Sequence, residues 1–159
     1  MCSVEVCWGC EGSVLVFVKT KRGAERLADR LCKHEYRADA IHGNLQQSRR
    51  DKVIGAFRAK RYRIMVATDI AARGLDIPHI EHVINFDLPQ CPEDYIHRIG
   101  RTARAGALGS AISLVSPEDK GKWRDIHLLL HPEERQQTQP HRGGRPTGNR
   151  GGSRRRRWG

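Results

Sequence analysis

The sequence predicts an α/β fold, a parallel sheet with helices on both faces. Short apolar runs of strand length, such as residues 14–18 (VLVFV) and 64–67 (IMVA), alternate with segments of helical periodicity. Strands of about five residues separated by longer helices are typical of βαβ units, whose strands are buried on both faces. Polar clusters directly follow several of these strands, at the edge where such sheets place their ligands.

The first half of the chain contains three predicted strands and two predicted helices. Residues 14–18 are apolar and rich in β-branched side chains, which favours a buried strand. Thr20 then offers an N-cap for a helix that reaches about His34. The apolar side chains of that helix recur at helical spacing: Ala24, Leu27, Ala28 and Leu31. The elements that follow are a strand over 37–42, a helix over 46–58 and a strand over 64–67.

The second half continues the alternation and then changes composition. Strands are predicted over 81–85 and 110–115, and helices over 93–99 and 117–130. We therefore expect one domain over residues 13–131, since 159 residues suffice for one core and not for two. Residues 1–12 fit no pattern and are interpreted as an irregular leader. Residues 132–159 become Gly/Arg/Pro-rich, which predicts a disordered basic tail.

The net charge of +11 is concentrated at the C-terminus, because residues 135–159 hold eight arginines and no acidic residue. Guanidinium groups bind phosphate bidentately and stay charged. Two Arg-Gly-Gly elements, at 142–144 and 150–152, are similar to segments that track single-stranded nucleic acid. The alternative is a tail that only increases solubility.

Membrane insertion and metal binding are not expected. No run of eighteen apolar residues is present, and residues 1–12 lack the features of a signal peptide, so we expect a soluble, cytoplasmic protein without a membrane partner. Cys7 and Cys10 form a CxxC pair that suits a redox couple or half of a zinc site. Because only Cys2 lies nearby as a further ligand, incidental reduced thiols are the favoured interpretation.

The densest functional signal is the segment 97–106 (HRIGRTARAG), which places four cations within eight residues. Arg101 and Arg104 are three residues apart and can project to the same side of a helix. Two converging guanidinium groups form an anion clamp of the kind used on a transferring phosphoryl group. Spacing alone leaves a phosphate site and a solvated basic face equally open.

This segment is very similar to motif VI of the DEAD-box RNA helicases, HRIGRTGR, and the resemblance extends over about residues 13–131. Residues 14–21 (VLVFVKTK) resemble motif IV, and residues 42–50 follow the HGD-then-QxxR pattern of the family. Residues 67–76 (ATDIAARGLD) resemble motif V, and INFDLP with Tyr95 resembles the stretch before motif VI. The family has Gly where Ala103 stands and Asp where Asn44 stands; we expect little effect from either difference.

The resemblance implies roles for individual residues. Arg101 and Arg104 correspond to arginine fingers that face the γ-phosphate of ATP, and Asp76 corresponds to the carboxylate that reaches the ribose. Gly74 lets backbone approach nearby, and His97 couples the nucleotide site to the other domain. RNA-backbone contacts are implied for Lys19, Thr20, Gly43, Gln47, Arg50, Thr68 and Arg73.

Each of these assignments has a structural alternative. Thr68 and Asp69 could cap the turn after a strand, and Asp76 could pair locally with Arg73. Arg50 could belong to a solvated helix face, and His42 or His97 could be core histidines with satisfied hydrogen bonds.

The chain lacks two motifs that an ATP-hydrolysing helicase needs. No GxxxxGK[ST] loop and no Asp-Glu-Ala-Asp string occur. In the family these belong to a preceding N-terminal RecA-like domain, which holds Mg²⁺ and sandwiches ATP against this one. We therefore expect an RNA-binding half-enzyme, monomeric and inactive as an ATPase by itself. The alternatives are a stand-alone, non-catalytic RNA-binding module and, less favoured, part of a related DNA helicase.

Overall fold

The computed structural model describes residues 12–75, 77, 80–102 and 109–137. The Cys7–Cys10 pair, Asp76, Ala103, Arg104 and residues 138–159 lie outside the described residues. The predicted leader and most of the predicted tail therefore stay predictions.

The described residues form one parallel sheet of five strands, which confirms the predicted fold class. The strands are β1 (Val14–Phe17), β2 (Ala38–Ile41), β3 (Ile64–Ala67), β4 (His82–Asn85) and β5 (Ser110–Ser113). Their order across the sheet is β2-β3-β1-β4-β5, and every neighbouring pair is parallel. Strand β1 is therefore central, although it comes first in the chain.

In the described residues, six α-helices connect or follow the strands. They are α1 (Lys21–Lys33), α2 (Gln47–Arg58), α3 (Asp69–Ala72), α4 (Pro92–Ile99), α5 (Lys120–Leu130) and α6 (Pro132–Gln137). A 3₁₀ turn at Pro117–Asp119 leads into α5. None of the helices in the described part of the chain has the length and apolar character that crossing a bilayer requires.

Two hydrophobic cores lie on opposite faces of the sheet, as alternation along each strand requires. Leu15 and Phe17 of β1 belong to the core that contains Val53 and Phe57 of α2. Val16 of β1, together with Ala24 and Ala28 of α1, belongs to the other core. Helices α1 and α2 thus cover different faces. A smaller cluster, made of Leu88, Tyr95 and Ile126 with Ile99 and Trp123 packed against it, joins α4 to α5.

The structure corrects the sequence-based elements at several places, most clearly in β5, α3 and α6. Strand β5 ends at Ser113, not at residue 115, because its partner β4 ends at Asn85, which pairs with Ser113. Helix α3 occupies the stretch after β3 for which no helix was predicted. Helix α6 begins at Pro132, where the disordered tail was expected to start. Proline in the first turn, followed by Glu133 and Glu134, favours a helix N-terminus there.

Candidate functional site

The carboxyl edge of the sheet gathers the polar segments that follow the strands, because all five strands point the same way. Lys19 and Thr20 follow β1, Gly43 follows β2, and Thr68 follows β3. The backbone N–H of Lys19 donates to Oδ2 of Asp87, which follows β4, at 2.8 Å. This bond joins two neighbouring loops into one surface.

The centre of the site is an ion pair between the buried Arg98 of α4 and the partly exposed Asp69 of α3. Arg98 is 2% exposed, and its Nε and Nη2 donate to the two carboxylate oxygens of Asp69 at 2.6 and 2.7 Å. Its Nη1 donates to the side-chain oxygen of Asn85 at 3.1 Å and to the carbonyl oxygen of Asp87 at 2.6 Å. The guanidinium carbon lies 4.8 Å from the centroid of the Phe17 ring.

This ion pair fixes α4 relative to three strands, since its partners follow or belong to β1, β3 and β4. A planar guanidinium with a bidentate partner permits one orientation only. The helix that carries His97 and precedes Arg101 is therefore held rigidly at the carboxyl edge. The basic cluster at 97–104 thus contains at least one cation, Arg98, whose role is structural.

A shallow depression lies beside the ion pair. Its lining includes four side chains that belong to, or adjoin, the segments predicted to be functional: Arg73, Asp94, His97 and Arg101. Nη2 of Arg73 lies 2.6 Å from Oδ1 of Asp94, and Nδ1 of His97 lies 3.7 Å from the same oxygen. The His97 side chain is 69% exposed, which excludes the core-histidine interpretation. The described partner of Arg73 is Asp94, on α4.

Arg101 extends toward the loop that follows α3. Its Nη1 donates to the carbonyl oxygen of Leu75 at 3.3 Å, so the guanidinium lies next to the backbone that leads into residue 76. Asp76 and Arg104 lie outside the described residues. The convergence of Arg101 with Arg104, and the position of the Asp76 carboxylate, therefore stay predictions.

Gly74 has a backbone conformation that favours glycine, with φ of +77°. Apart from Gly74 and its two chain neighbours, no atom of the described residues lies within 4 Å of the position that a Cβ would take, so the requirement for glycine comes from the backbone angle. This conformation lets the chain turn sharply between α3 and the Leu75 carbonyl that Arg101 contacts.

Two of the residues predicted to contact RNA, Thr20 and Arg50, make structural contacts at the carboxyl edge. The Oγ1 of Thr20 accepts from the N–H of Gly23 at 3.0 Å, so this hydroxyl caps α1. Nη2 of Arg50 donates to the carbonyl oxygen of Ala71 at 2.7 Å, which links α2 to α3. The side chain of Arg50 thus bridges two helices, and the solvated-face interpretation is wrong.

The remaining members of that set differ in how accessible they are. Lys19, Gly43, Gln47 and Arg73 are exposed, and Gln47 donates to Asp51 of its own helix at 2.8 Å. Thr68 is buried and precedes α3 without making a side-chain capping bond, while its backbone carbonyl accepts from Ala72.

His42, which directly follows β2, is buried and has a polar group near each of its ring nitrogens. Its Nδ1 accepts from the N–H of Asn44 at 3.4 Å. Its Nε2 lies 2.9 Å from a carboxylate oxygen of Glu25, although this contact lies outside the angular range of a hydrogen bond. The ring therefore connects the β2 loop to α1 and is a structural element of the site.

Sequence reasoning assigned no role to Asp94 and Arg98, and to Asp69 only the alternative of a turn cap, although all three organise the site. The signal for Arg98 was its position in α4, three residues after Tyr95, on the face that is buried. The signal for Asp69 was its place directly after a buried strand. No group of three or more potential ligands for a metal ion occurs among the described residues.

Comparison with known proteins identifies the family. The model of the helicase conserved C-terminal domain matches residues 4–106. The ATP-dependent RNA helicase DBP2 of Gibberella zeae is 46% identical over 130 residues, which make up 82% of this chain and 23% of the relative. The chain thus spans about a quarter of the length of that curated relative.

Two solved structures resemble the chain over about three quarters of its length. A DEAD box protein from Methanococcus jannaschii is 48% identical with a TM-score of 0.72, over 76% of this chain and 33% of that one. Dbp5 of S. cerevisiae bound to RNA and ADP BeF3 is 39% identical with a TM-score of 0.67, over 76% and 32%. The chain belongs to the helicase C-terminal domain family. Within it, the chain is a C-terminal domain of the DEAD-box type with the RecA-like fold, as motif VI predicted.

Proposed function

We propose that this domain supplies one wall of an ATP site and part of a single-stranded RNA surface, in a helicase that unwinds short duplexes locally. The observation that supports this most directly is the depression beside the Arg98–Asp69 pair, where His97, Arg73 and Arg101 line one surface. A related structure, Dbp5 of S. cerevisiae, is bound to RNA and ADP BeF3.

Arg101 and Arg104 are proposed to act as arginine fingers. A guanidinium group at the developing charge of a phosphoryl transfer contributes roughly 10³–10⁵ in rate. The Leu75 carbonyl that Arg101 contacts at 3.3 Å is a neutral acceptor, and an anionic phosphate oxygen is a stronger acceptor for a guanidinium group. Asp76 would bind the ribose, Gly74 would allow backbone to approach the nucleotide, and His97 would face the partner domain.

The RNA surface is proposed to comprise the exposed members of the carboxyl-edge set with Thr20, Arg50 and Thr68. Hydroxyl, backbone N–H and guanidinium groups recognise phosphate and sugar and do not read sequence. An N-terminal RecA-like domain would supply the phosphate-binding loop and hold Mg²⁺. Without that domain, the chain is proposed to have no significant ATPase activity.

The test is an ATPase assay with and without a supplied N-terminal domain. The 159-residue chain, incubated with ATP, Mg²⁺ and oligouridine, should give no turnover above background. The same chain, tethered after the N-terminal RecA-like domain of a DEAD-box relative, should hydrolyse ATP in an RNA-dependent manner. Arg101→Ala should lower kcat of the tethered protein by roughly 10³-fold or more. Arg49→Ala, at an exposed arginine of α2 that pairs with Asp39 of β2, is the matched control.

Two outcomes would contradict the proposal. Turnover of about 1 s⁻¹ by the chain alone, which is within the ordinary enzyme range, would refute the need for a second domain. An Arg101→Ala variant as active as the Arg49→Ala control would refute the arginine-finger assignment. RNA binding without any ATPase in the tethered protein would favour the stand-alone RNA-binding module, which the arginine-rich sequence of residues 138–159 also supports.

A further inference from the structure

A second recessed surface lies on α5, away from the motifs described above. It is an open groove of about 540 Å³ between α5 and α6, within the range of ligand pockets, about 300–1,000 Å³. Its lining, which defines the α5 groove, consists of Lys120, Trp123, Arg124, His127, Leu128 and Glu134.

The side chain of Trp123 is held in place in the groove by its contacts with the protein core. The ring of Trp123 makes an edge-to-face contact with Tyr95, with centroids 6.0 Å apart and planes at 77°. Trp123 also packs against the small core around the buried Ile126. An indole that is fixed by its neighbours and partly exposed in a groove provides a stacking surface at little entropic cost.

The charge of the groove favours an anion. Lys120 and Arg124 are exposed on the same helix, four residues apart, and therefore on one side of it. The one acidic residue in the lining, Glu134, lies 3.4 Å from Nδ1 of His127, which offsets its charge when the imidazole is protonated. An anionic ligand with flat rings matches cations that flank an indole.

The groove begins near the carboxyl edge of the sheet. The pKa of Asp119, at the start of α5, is lowered by hydrogen bonds from Lys122 and Ser116, and the charge of Lys19 lowers it further. Lys19, a proposed RNA contact, therefore lies within electrostatic reach of the N-terminal end of α5. At the other end, α6 is followed in sequence by residues 138–159, which contain seven arginines and no acidic residue.

We propose that the α5 groove binds single-stranded RNA that leaves the carboxyl edge, with one base stacked on Trp123 and phosphates bound by Lys120 and Arg124. This inference rests on the proposed RNA-binding function. It adds the path that the RNA takes from the carboxyl edge into the α5 groove. Stacking of a base together with contacts to its phosphates is how proteins bind single strands without sequence preference. An acidic peptide would use the two cations but would leave the indole without a stacking partner.

The test compares two RNA lengths by fluorescence anisotropy with the full chain. Labelled hexauridine is intended to cover the carboxyl edge only, and an oligouridine of about 16 nucleotides also reaches the groove. Lys120→Glu combined with Arg124→Glu should lower the salt slope for the long RNA by about 1.4, since each phosphate contact on a single strand contributes about 0.7. Binding of hexauridine should change no more than it does in the control. That control is Arg26→Glu with Lys33→Glu, an equal charge change at exposed positions of α1.

Stacking is tested separately from charge. Trp123→Leu should weaken binding of the long RNA about tenfold, and Trp123→Phe should recover most of this loss. A 5-iodouridine-substituted long RNA should crosslink to the peptide that contains Trp123, as mapped by mass spectrometry. If Trp123→Leu fails to fold, as judged by circular dichroism, the crosslink and the Lys120→Glu, Arg124→Glu variant still test the proposal.

The outcomes separate this inference from the proposed function. If Arg50→Ala weakens binding of both RNAs while the groove variants match the α1 control, the groove assignment is overturned and RNA binding by the domain stands. Crosslinks confined to peptides without Trp123 overturn it as well. If the wild-type chain binds neither RNA, both proposals fail together.

Discussion

Substitution of Asp69 by alanine should destabilise the domain more than any exposed ion-pair substitution. The change removes both carboxylate oxygens that face Arg98, whose side chain is 2% exposed. The guanidinium then keeps two neutral acceptors, the Asn85 side chain and the Asp87 carbonyl, but loses its counter-charge. Water reaches it poorly, because Phe17 covers one face.

The expected loss of unfolding free energy depends on how exposed each partner of the ion pair is. Leaving one member of a buried pair without its counter-charge costs about 3–5 kcal/mol. Asp69 is 30% exposed, so the pair is not fully desolvated, and we expect the lower end of the range, about 3 kcal/mol, for Asp69→Ala. Arg98→Met should cost less, about 2 kcal/mol, because the exposed carboxylate rehydrates while the methionine fills part of the space. The double variant should be more stable than the sum of the single variants implies.

Urea denaturation of the full chain, followed by circular dichroism, measures these differences. Arg49→Ala is the matched control, since Nη2 of Arg49 donates to both carboxylate oxygens of Asp39 but the arginine side chain is 56% exposed. It should cost no more than about 1 kcal/mol. The reasoning is refuted if Asp69→Ala and Arg49→Ala lower the free energy of unfolding equally.

Three further predictions concern single residues. Gly74→Ala should cost about 1 kcal/mol of unfolding free energy by urea denaturation, and Gly74→Asn less, because φ is +77° and asparagine tolerates this region; equal losses would contradict the backbone argument. Thr20→Ala should also cost about 1 kcal/mol by removing the α1 cap, while Thr20→Ser should retain it; a thermally unchanged alanine variant would count against the cap. The pKa of Asp119 should lie below 3.8 in a carboxyl NMR titration, mainly because Lys122 donates to it. Its stabilising contribution is present above pH 3.8 and is lost as the pH falls through the lowered pKa, and a midpoint at or above 3.8 would contradict the contact.

Strands β1 and β3 were predictable because they bury side chains on both faces and therefore appear as short apolar runs. Residues 64–67 illustrate this, since the predicted and observed strands coincide. Helix α3 was not predicted because four residues provide too little periodicity. Its Ala71 and Ala72 are buried, while Ile70 between them and the strand is 74% exposed, contrary to its hydrophobicity.

The parts of the site that sequence reasoning missed depend on contacts between distant residues. Arg98 lies within a cluster of cations, and its neighbours in sequence indicate a basic surface. Its partner Asp69 comes 29 residues earlier, and only the packing of α4 against the carboxyl edge brings the two together. The candidate residues Arg101 and Gly74 were found because a family motif names them, while local spacing left a phosphate site and a solvated face equally open.

The central position of β1 has a consequence for how the protein is made. Val16 pairs with Val66 on one side and with Ile84 on the other, so the strand emerges from the ribosome about fifty residues before its earlier partner. At about 5–20 residues per second, this apolar segment stays unpaired for several seconds of synthesis. Deleting residues 14–17 would leave β2–β3 and β4–β5 as two separate ribbons. Nascent-chain stages that end before residue 67 should therefore be sensitive to proteases and dependent on chaperones.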